Sequence, residues 1–273
     1  VGKIILLNTP IGNLGDLTPR VLEALKSGMT FAVEDTRVFK ELLNHLGISL
    51  HGKHIVSFHD QSKPEEIDRL IRLSQGGDLY LASDAGSPII SDPAYPIVSR
   101  ARELGIKVES YSGVSSPIMA LELSGLPPIP FHFQGFLPRD KGPKEKVFRN
   151  LSQGTHIFFE APTRVEETLD LISSVDPNLK LAVVRELSKK FEDTLQFKSS
   201  DWVNFKDKMV YKGEFVLLVH KSESREVMNS ELTEIAQEIL AKGAIPKLIA
   251  RLLGIILDRP TKDIYSLINR HKD

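Results

Sequence analysis

No cysteine occurs among the 273 residues, which excludes disulfides, thiolate-held zinc and cysteine nucleophiles and agrees with a reducing compartment. Charge of one sign is also lacking. Thirty-five bases face 36 acids for a net charge of -1, so no overall field announces a nucleic acid, and any such partner has to be met by a local patch. Long apolar runs are missing: residues 4–7 and 252–257 fall far short of the ~18 a membrane span needs. No charged stretch followed by a signal-like apolar core opens the sequence. These absences lead us to expect a soluble, unsecreted, cytoplasmic protein.

What is present is a hydrophobic content of 41%, ample for burial, on a chain long for one core. Short β-friendly runs at 3–7, 30–33, 55–58, 79–82 and 106–110 alternate with helical patterns at 18–27, 35–46, 64–73, 92–104 and 116–124. Thr18 as cap, Pro19 at the first helical position and Gly28 past the end show the expected asymmetry. Such alternation predicts a mostly parallel, helix-covered α/β sheet. The proline-rich residues 126–130 continue neither helix nor ladder and mark a boundary. Beyond it, strands are expected at 131–136, 155–159, 179–184, 194–197 and 215–219, with helices at 143–151 and 164–174. Fewer helices between the later strands predict a mixed sheet. A polar linker at 221–229 precedes three short helices at 231–241, 245–253 and 261–269. The expected domains are therefore 1–126, 127–220 and 221–273.

Four stretches carry chemistry. Residues 78–88 read strand, loop, helix, and place Asp84, Ala85 and Gly86 where an α/β sheet binds ligands. With one glycine, no base and a carboxylate, this is no phosphate loop; Asp84 suits a cation or hydroxyls, or else forms a turn with its own backbone. The loop 8–16 holds Pro10, Gly12 and Gly15, which allow close backbone approach. Glu34, Asp35 and Arg37 end the second strand, either as a substrate site or as a helix first turn, and His59 and Asp60 end the third. No metal-ligand spacing is present. A parallel sheet would gather all these strand ends on one edge. The fourth stretch is basic: residues 139–149 hold Arg139, Lys141, Lys144, Lys146 and Arg149 against two acids, near Phe133, Phe136 and Phe148. Bases beside aromatics suit single-stranded RNA, the alternative being a solvated helix face. Residues 242–273 add seven bases against three acids, Lys242, Lys247 and Arg251 among them.

Taken in order, Thr-Pro-Ile-Gly-Asn-Leu-Gly-Asp (9–16), Glu-Asp-Thr-Arg (34–37), His59-Asp60, Ser-Asp-Ala-Gly-Ser-Pro (83–88) with Ser91-Asp92-Pro93, Gly-Phe-Leu-Pro (135–138), Phe-Glu-Ala-Pro-Thr-Arg (159–164) and Arg-Glu-Leu-Ser-Lys (185–189) resemble the ribosomal RNA small subunit methyltransferase I family. The resemblance covers nearly the whole chain. It implies the tetrapyrrole methylase fold: two α/β domains with S-adenosylmethionine in the cleft between them, a small C-terminal helical extension and a homodimer. The implied activity is 2′-O-methylation of a cytidine ribose in the decoding region of 16S ribosomal RNA, with that RNA or the small-subunit particle as partner. Carried over, the cofactor site comprises Pro10, Gly12, Asp84, Ala85, Gly86, Ser115, Ser116, Phe159, Glu160, Leu187, Glu214 and Phe215.

Where the family commonly has Pro-Gly-Pro, this chain has Ser112-Gly113-Val114; Ser87 and Ala94 stand for a frequent Thr and Gly. Glu34, Asp35 and His59 are candidates for accepting the hydroxyl proton or orienting the nucleotide, a Lys189-assisted route being the alternative. Arg37, Arg139, Lys141, Lys144, Lys146 and Lys189 are candidate RNA contacts, and no metal is required. Three competing readings stay open: methylation of a tetrapyrrole or other small molecule on the same fold, a metal-dependent hydrolase using Glu34, Asp35, His59, Asp60 and Asp84, and a non-enzymatic RNA-binding factor.

Overall fold

The structure, a computed structural model, describes residues 2–59, 62–222, 230–257 and 260–269. It divides into two compact units, Val1–Ser222 and Glu223–Asp273. The first unit contains two sheets.

The first sheet is built from β1 (Ile4–Leu7), β2 (Thr30–Val33), β3 (His54–Ser57), β4 (Leu79–Ala82) and β5 (Val108–Tyr111), in the order β3-β2-β4-β1-β5, all parallel. Alternation decides its burial. Ile4 and Leu6 join Leu79 and Leu81 in one core, while Ile5 and Leu7 join Phe31 and Val33 in the other. The helices α1 (Pro19–Ser27), α2 (Thr36–His45), α3 (Pro64–Leu73) and α4 (Tyr95–Glu103) cover those two faces. From adjacent β1 and β4 the chain departs in opposite directions, which opens a crevice beyond their carboxyl ends. The helix expected from residue 92 starts only at Tyr95. Residues 83–94 remain turns, with Ser91 at φ 65° and Ala94 N–H donating to the Pro88 carbonyl at 3.0 Å.

The second sheet holds β6 (Phe131–Phe136), β7 (Gly154–Glu160), β8 (Lys180–Arg185), β9 (Asp193–Lys198) and β10 (Phe215–Lys221), in the order β6-β7-β10-β8-β9. Within this sheet only β6 and β7 pair in parallel among the described strands, so it is mixed, as expected. Helices α6 (Lys141–Arg149) and α7 (Val165–Val175), with a 3-10 turn at Ser199–Asn204 that the sequence pattern did not suggest, cover one face through Phe148, Leu169, Phe158, Leu217 and Trp202. The other face is covered by α5 (Ser116–Ser124), whose Ala120 and Leu121 pack with Ile157, Ala182 and Leu218. Thus α5 follows the first sheet in the chain but packs on the second.

The second unit gathers α8 (Ser230–Ala241), α9 (Pro246–Ile256) and α10 (Thr261–Asn269) around Ala236, Ala250, Leu253, Ile264 and Ile268. Gly243, at φ 92°, ends α8. Asp60 and most of the expected linker, residues 223–229, lie outside the described residues. Among the described residues no helix is long and apolar enough to cross a membrane.

Candidate active site

A cavity of about 430 Å³, within the ~300–1,000 Å³ of small-molecule sites, lies where the crevice beyond β1 and β4 meets the ends of β7 and β10. The first lobe contributes Ile11, Ala85, Gly86, Asp92, Ser115 and Ser116 to its wall. The second contributes Phe159, Glu160, Leu187, Glu214 and Phe215. Nine of the residues expected to hold a cofactor therefore line one cavity. Thr9 and Gly86 clip the two first-lobe loops together, each N–H donating to the other's carbonyl at 2.9 and 3.0 Å. Ser115 precedes α5 without making a cap bond, so that bond does not occupy its hydroxyl. The departure at Ser112-Gly113-Val114 leaves its loop pinned: Asn8 Nδ2 donates to Tyr111 O at 2.6 Å and Thr18 Oγ1 to Ser112 O at 3.1 Å. A Cβ on Gly113 would fall 2.4 Å from Asn8 Cβ, which explains glycine there.

Pro10 and Gly12 flank Ile11 and are not themselves on the wall. Gly12 instead lies under Lys189; a Cβ there would sit 2.4 Å from Lys189 Cγ. Lys189 Nζ is held by Glu186 Oε1 at 3.1 Å and Glu214 Oε2 at 2.9 Å. Burial pulls its ammonium down, yet the bonds to Glu214 and Glu186 outweigh burial and leave it raised. So held between two carboxylates, Lys189 is a charged ammonium and not a free one. The adjoining Ser188 hydroxyl donates to Asp16, tying the two lobes. Glu186 and Ser188 achieve this loop with φ of 53° and 64°, a backbone state costly for residues other than glycine.

Asp84 stands beside the cavity. It is absent from the cavity wall; its Oδ1 accepts from Asp35 N–H at 3.0 Å, and its own N–H donates to Glu34 Oε2 at 3.3 Å. Burial, opposed by the Asp35 N–H and helped by the Glu34 charge, raises its carboxyl. Asp35 caps α2 and grips Arg37 twice, Nε to Oδ1 at 3.2 Å and Nη2 to Oδ2 at 2.7 Å. The Arg37 side chain holds the Asp35 carboxyl down at about 2. His59 is exposed, its N–H donating to Ser62 Oγ at 3.2 Å. Among the described residues no group of three or more His, Asp or Glu is arranged to hold a metal ion.

Sequence reasoning missed Asp92, read as a helix start. It lies on the cavity wall, with Ser83 and Glu34 close to it. Burial, and after it the charge of Glu34, push its carboxyl up to about 7.

The basic segment divides. Arg139, Lys141 and Lys146 are exposed, whereas Lys144 is buried and cannot meet a phosphate. One helical turn before Phe148, it points into the core and gives Nζ to Thr168 Oγ1 at 2.9 Å and to Glu160 Oε2 at 3.4 Å. Glu160, equally buried, also accepts from Arg164 Nη2 at 2.6 Å, Thr168 Oγ1 at 2.8 Å and Ala161 N–H at 2.8 Å. Its carboxylate is spent on this network, so at the cavity it presents wall rather than charge. Lys247 and Arg251 are exposed on α9 beside Leu248 and Leu252.

The model of the tetrapyrrole (corrin/porphyrin) methylases matches residues 3–201. Ribosomal RNA small subunit methyltransferase I of Halalkalibacterium halodurans is 36% identical over 278 residues, covering 98% of this chain and 95% of that protein. Its namesake from Bacillus subtilis is 36% identical, covering 97% and 93%. Among solved structures, a cobalt precorrin-4 methyltransferase shares the fold at a TM-score of 0.55 and 15% identity, over 80% of this chain and 94% of that one. Uroporphyrin-III C-methyltransferase from Thermus thermophilus, complexed with S-adenyl homocysteine, does so at 0.52 and 17%, over 81% and 98%. From fold, cavity and near full-length relatives together, the chain belongs to the tetrapyrrole methylase family and, within it, to the ribosomal RNA small subunit methyltransferase I proteins.

Proposed function

We propose that this methyltransferase uses S-adenosylmethionine to methylate the 2′-hydroxyl of a cytidine ribose in the decoding region of 16S ribosomal RNA. The observation that carries the reading is the cavity between the lobes, bordered by first-lobe carboxylates at the strand ends. Its chemistry fits the cofactor: apolar walls from Ile11, Phe159, Leu187 and Phe215, and the hydroxyls of Ser115 and Ser116 for a ribose-bearing molecule. When bound there, the cofactor supplies a methyl group on a sulfonium. The chain's own work is to hold the ribose oxygen in line with that methyl and to exclude water. Alignment of two bound reactants can supply about 7–11 kcal/mol, against about 10²–10⁴-fold from a positioned base.

The RNA would enter over the first-lobe strand ends, with phosphates against exposed Arg139, Lys141 and Lys146 and with Arg37 within reach. A homodimer in the cytoplasm completes the proposal; exposed Ile129 and Phe131, at the edge strand β6, support a second copy there. Calorimetry with S-adenosylmethionine, then transfer of labelled methyl to small-subunit particles and to naked RNA, tests the reading. Saturable binding and a labelled ribose are expected. Absence of cofactor binding, or transfer to a tetrapyrrole and not to RNA, overturns it.

A further inference from the structure

Resting on that reading, we infer that Asp92, on the cavity wall and close to Glu34, is the group that accepts the ribose hydroxyl proton. Three acids line the cavity: Asp92, Glu160 and Glu214. Glu160 is sealed by Lys144 and Arg164, and Glu214 is paired with Lys189. Asp92 alone of the three has no basic partner among the described residues. Its neighbours are Glu34 from the end of β2, Ser83 and Asp84 from the end of β4. Asp35 and Arg37 stand one step further off and neutralise each other.

Burial and the nearby Glu34 charge disfavour a negative charge on Asp92, so its carboxylate takes up a proton more readily than an isolated one. Glu34 is itself oriented by the Asp84 N–H on its Oε2 at 3.3 Å. The backbone fixes Asp92, which stands between Ser91 at φ 65° and buried Pro93, in a turn closed by the Ala94 to Pro88 bond.

The step balances. The ribose oxygen bonds to the methyl carbon, the carbon–sulfur bond breaks with its electron pair left on sulfur, and the hydroxyl proton passes to the Asp92 carboxylate. From there it reaches water through Glu34, which is partly exposed. A base poised near the working pH is the effective kind. With Asp92 lifted to about 7, the rate rises as pH climbs through that value and then levels.

The test is single-turnover methyl transfer to small-subunit particles on both sides of neutrality, with carboxyl-carbon NMR titration of Asp92 in the protein without cofactor. Asp92→Asn should lose about 10²–10⁴-fold in rate and the inflection with it, while cofactor affinity by calorimetry changes only a few-fold. Glu34→Gln removes a like charge and should move both the kinetic inflection and the NMR titration to lower pH. Ser83→Ala removes a nearby hydroxyl that favours the ionised form and should move both upward. Opposite shifts are beyond a merely structural role. Wild-type transfer with Asp92→Asn retaining rate and inflection overturns the inference alone. So does an inflection that neither neighbour moves. No transfer to ribosomal RNA by the wild type overturns the functional reading together with the inference.

Discussion

Two carboxylate neighbourhoods face each other across one cavity and are treated in opposite ways. On the first lobe, Glu34, Asp84 and Asp92 lie beyond strand ends, half in water and in no salt bridge among the described residues, and burial together with the neighbouring charges raises the proton affinity of Asp84 and Asp92. On the second, Glu160 ends β7 inside a sealed network with Lys144, Arg164 and Thr168. Sheet connectivity accounts for the contrast. Parallel strands all end on one edge, so their polar loops converge there and stay open to a ligand. In the mixed sheet Glu160 is opposite Phe215, where antiparallel β10 begins, and α6 and α7 close over it. Charge left unsatisfied serves chemistry on one side; charge satisfied holds a wall on the other.

The comparison breaks most severely at Glu160→Gln, which strands the buried Lys144 ammonium and the partly buried Arg164 guanidinium. Removing one partner of a buried pair costs about 3–5 kcal/mol, and urea unfolding should show a midpoint lowered accordingly. A smaller loss is expected from Gly213→Ala. At φ 92°, its Cβ would lie 2.5 Å from Glu186 Cδ, displacing the carboxylate that accepts Glu214 N–H at 3.0 Å. Backbone strain of about 1–3 kcal/mol should appear in the unfolding midpoint, together with weaker cofactor binding in calorimetry.

Asp92→Asn sharpens the contrast by separating stability from rate. Because the folded carboxyl is lifted from 3.8 to about 7, the folded state binds that proton more tightly. Its stabilisation is present below about 4 and lost as pH rises through about 7, so the Asn variant should gain thermal stability relative to wild type at alkaline pH and not at acid pH. Asp35 has the opposite sign. Its stabilisation is present above 3.8 and lost as pH falls through about 2, so Asp35→Asn should leave any inflection of methyl transfer near neutrality in place. Last, replacing Arg139, Lys141 and Lys146 by Ala should flatten the slope of log RNA affinity against log salt by up to ~2 units, about 0.7 for each phosphate. An unchanged slope would make that segment a solvated face.

Much of this was legible in the sequence because local signals suffice for local structure. Thr18 with Pro19 starts α1, and Ser124 followed by Gly125 at φ 63° ends α5. The loops after β1 and β4 announced a ligand site through glycines and small residues. What stayed hidden are partners distant in sequence. Nothing near Asp84 shows the Glu34 and Asp35 that it bonds, some fifty positions earlier. Asp92-Pro93 imitates a helix start, and nothing local shows Glu34 beside it. Lys144 did leave a signal: it shares helical spacing with Phe148 and Leu151, both buried, so it belongs to the core face of α6 rather than to the basic run.

The position of α5 has a consequence for how such a protein can be divided. Ser115 and Ser116 at its start line the cavity, while Ala120 and Leu121 further along roof the second sheet. A cut at the prolines after residue 126 would strip that sheet of its roof and leave a first fragment carrying an uncovered greasy helix. Halves exchanged between relatives at that seam would inherit a mismatched lid, whereas a crossover ahead of residue 115 keeps each sheet with the helix that fits it.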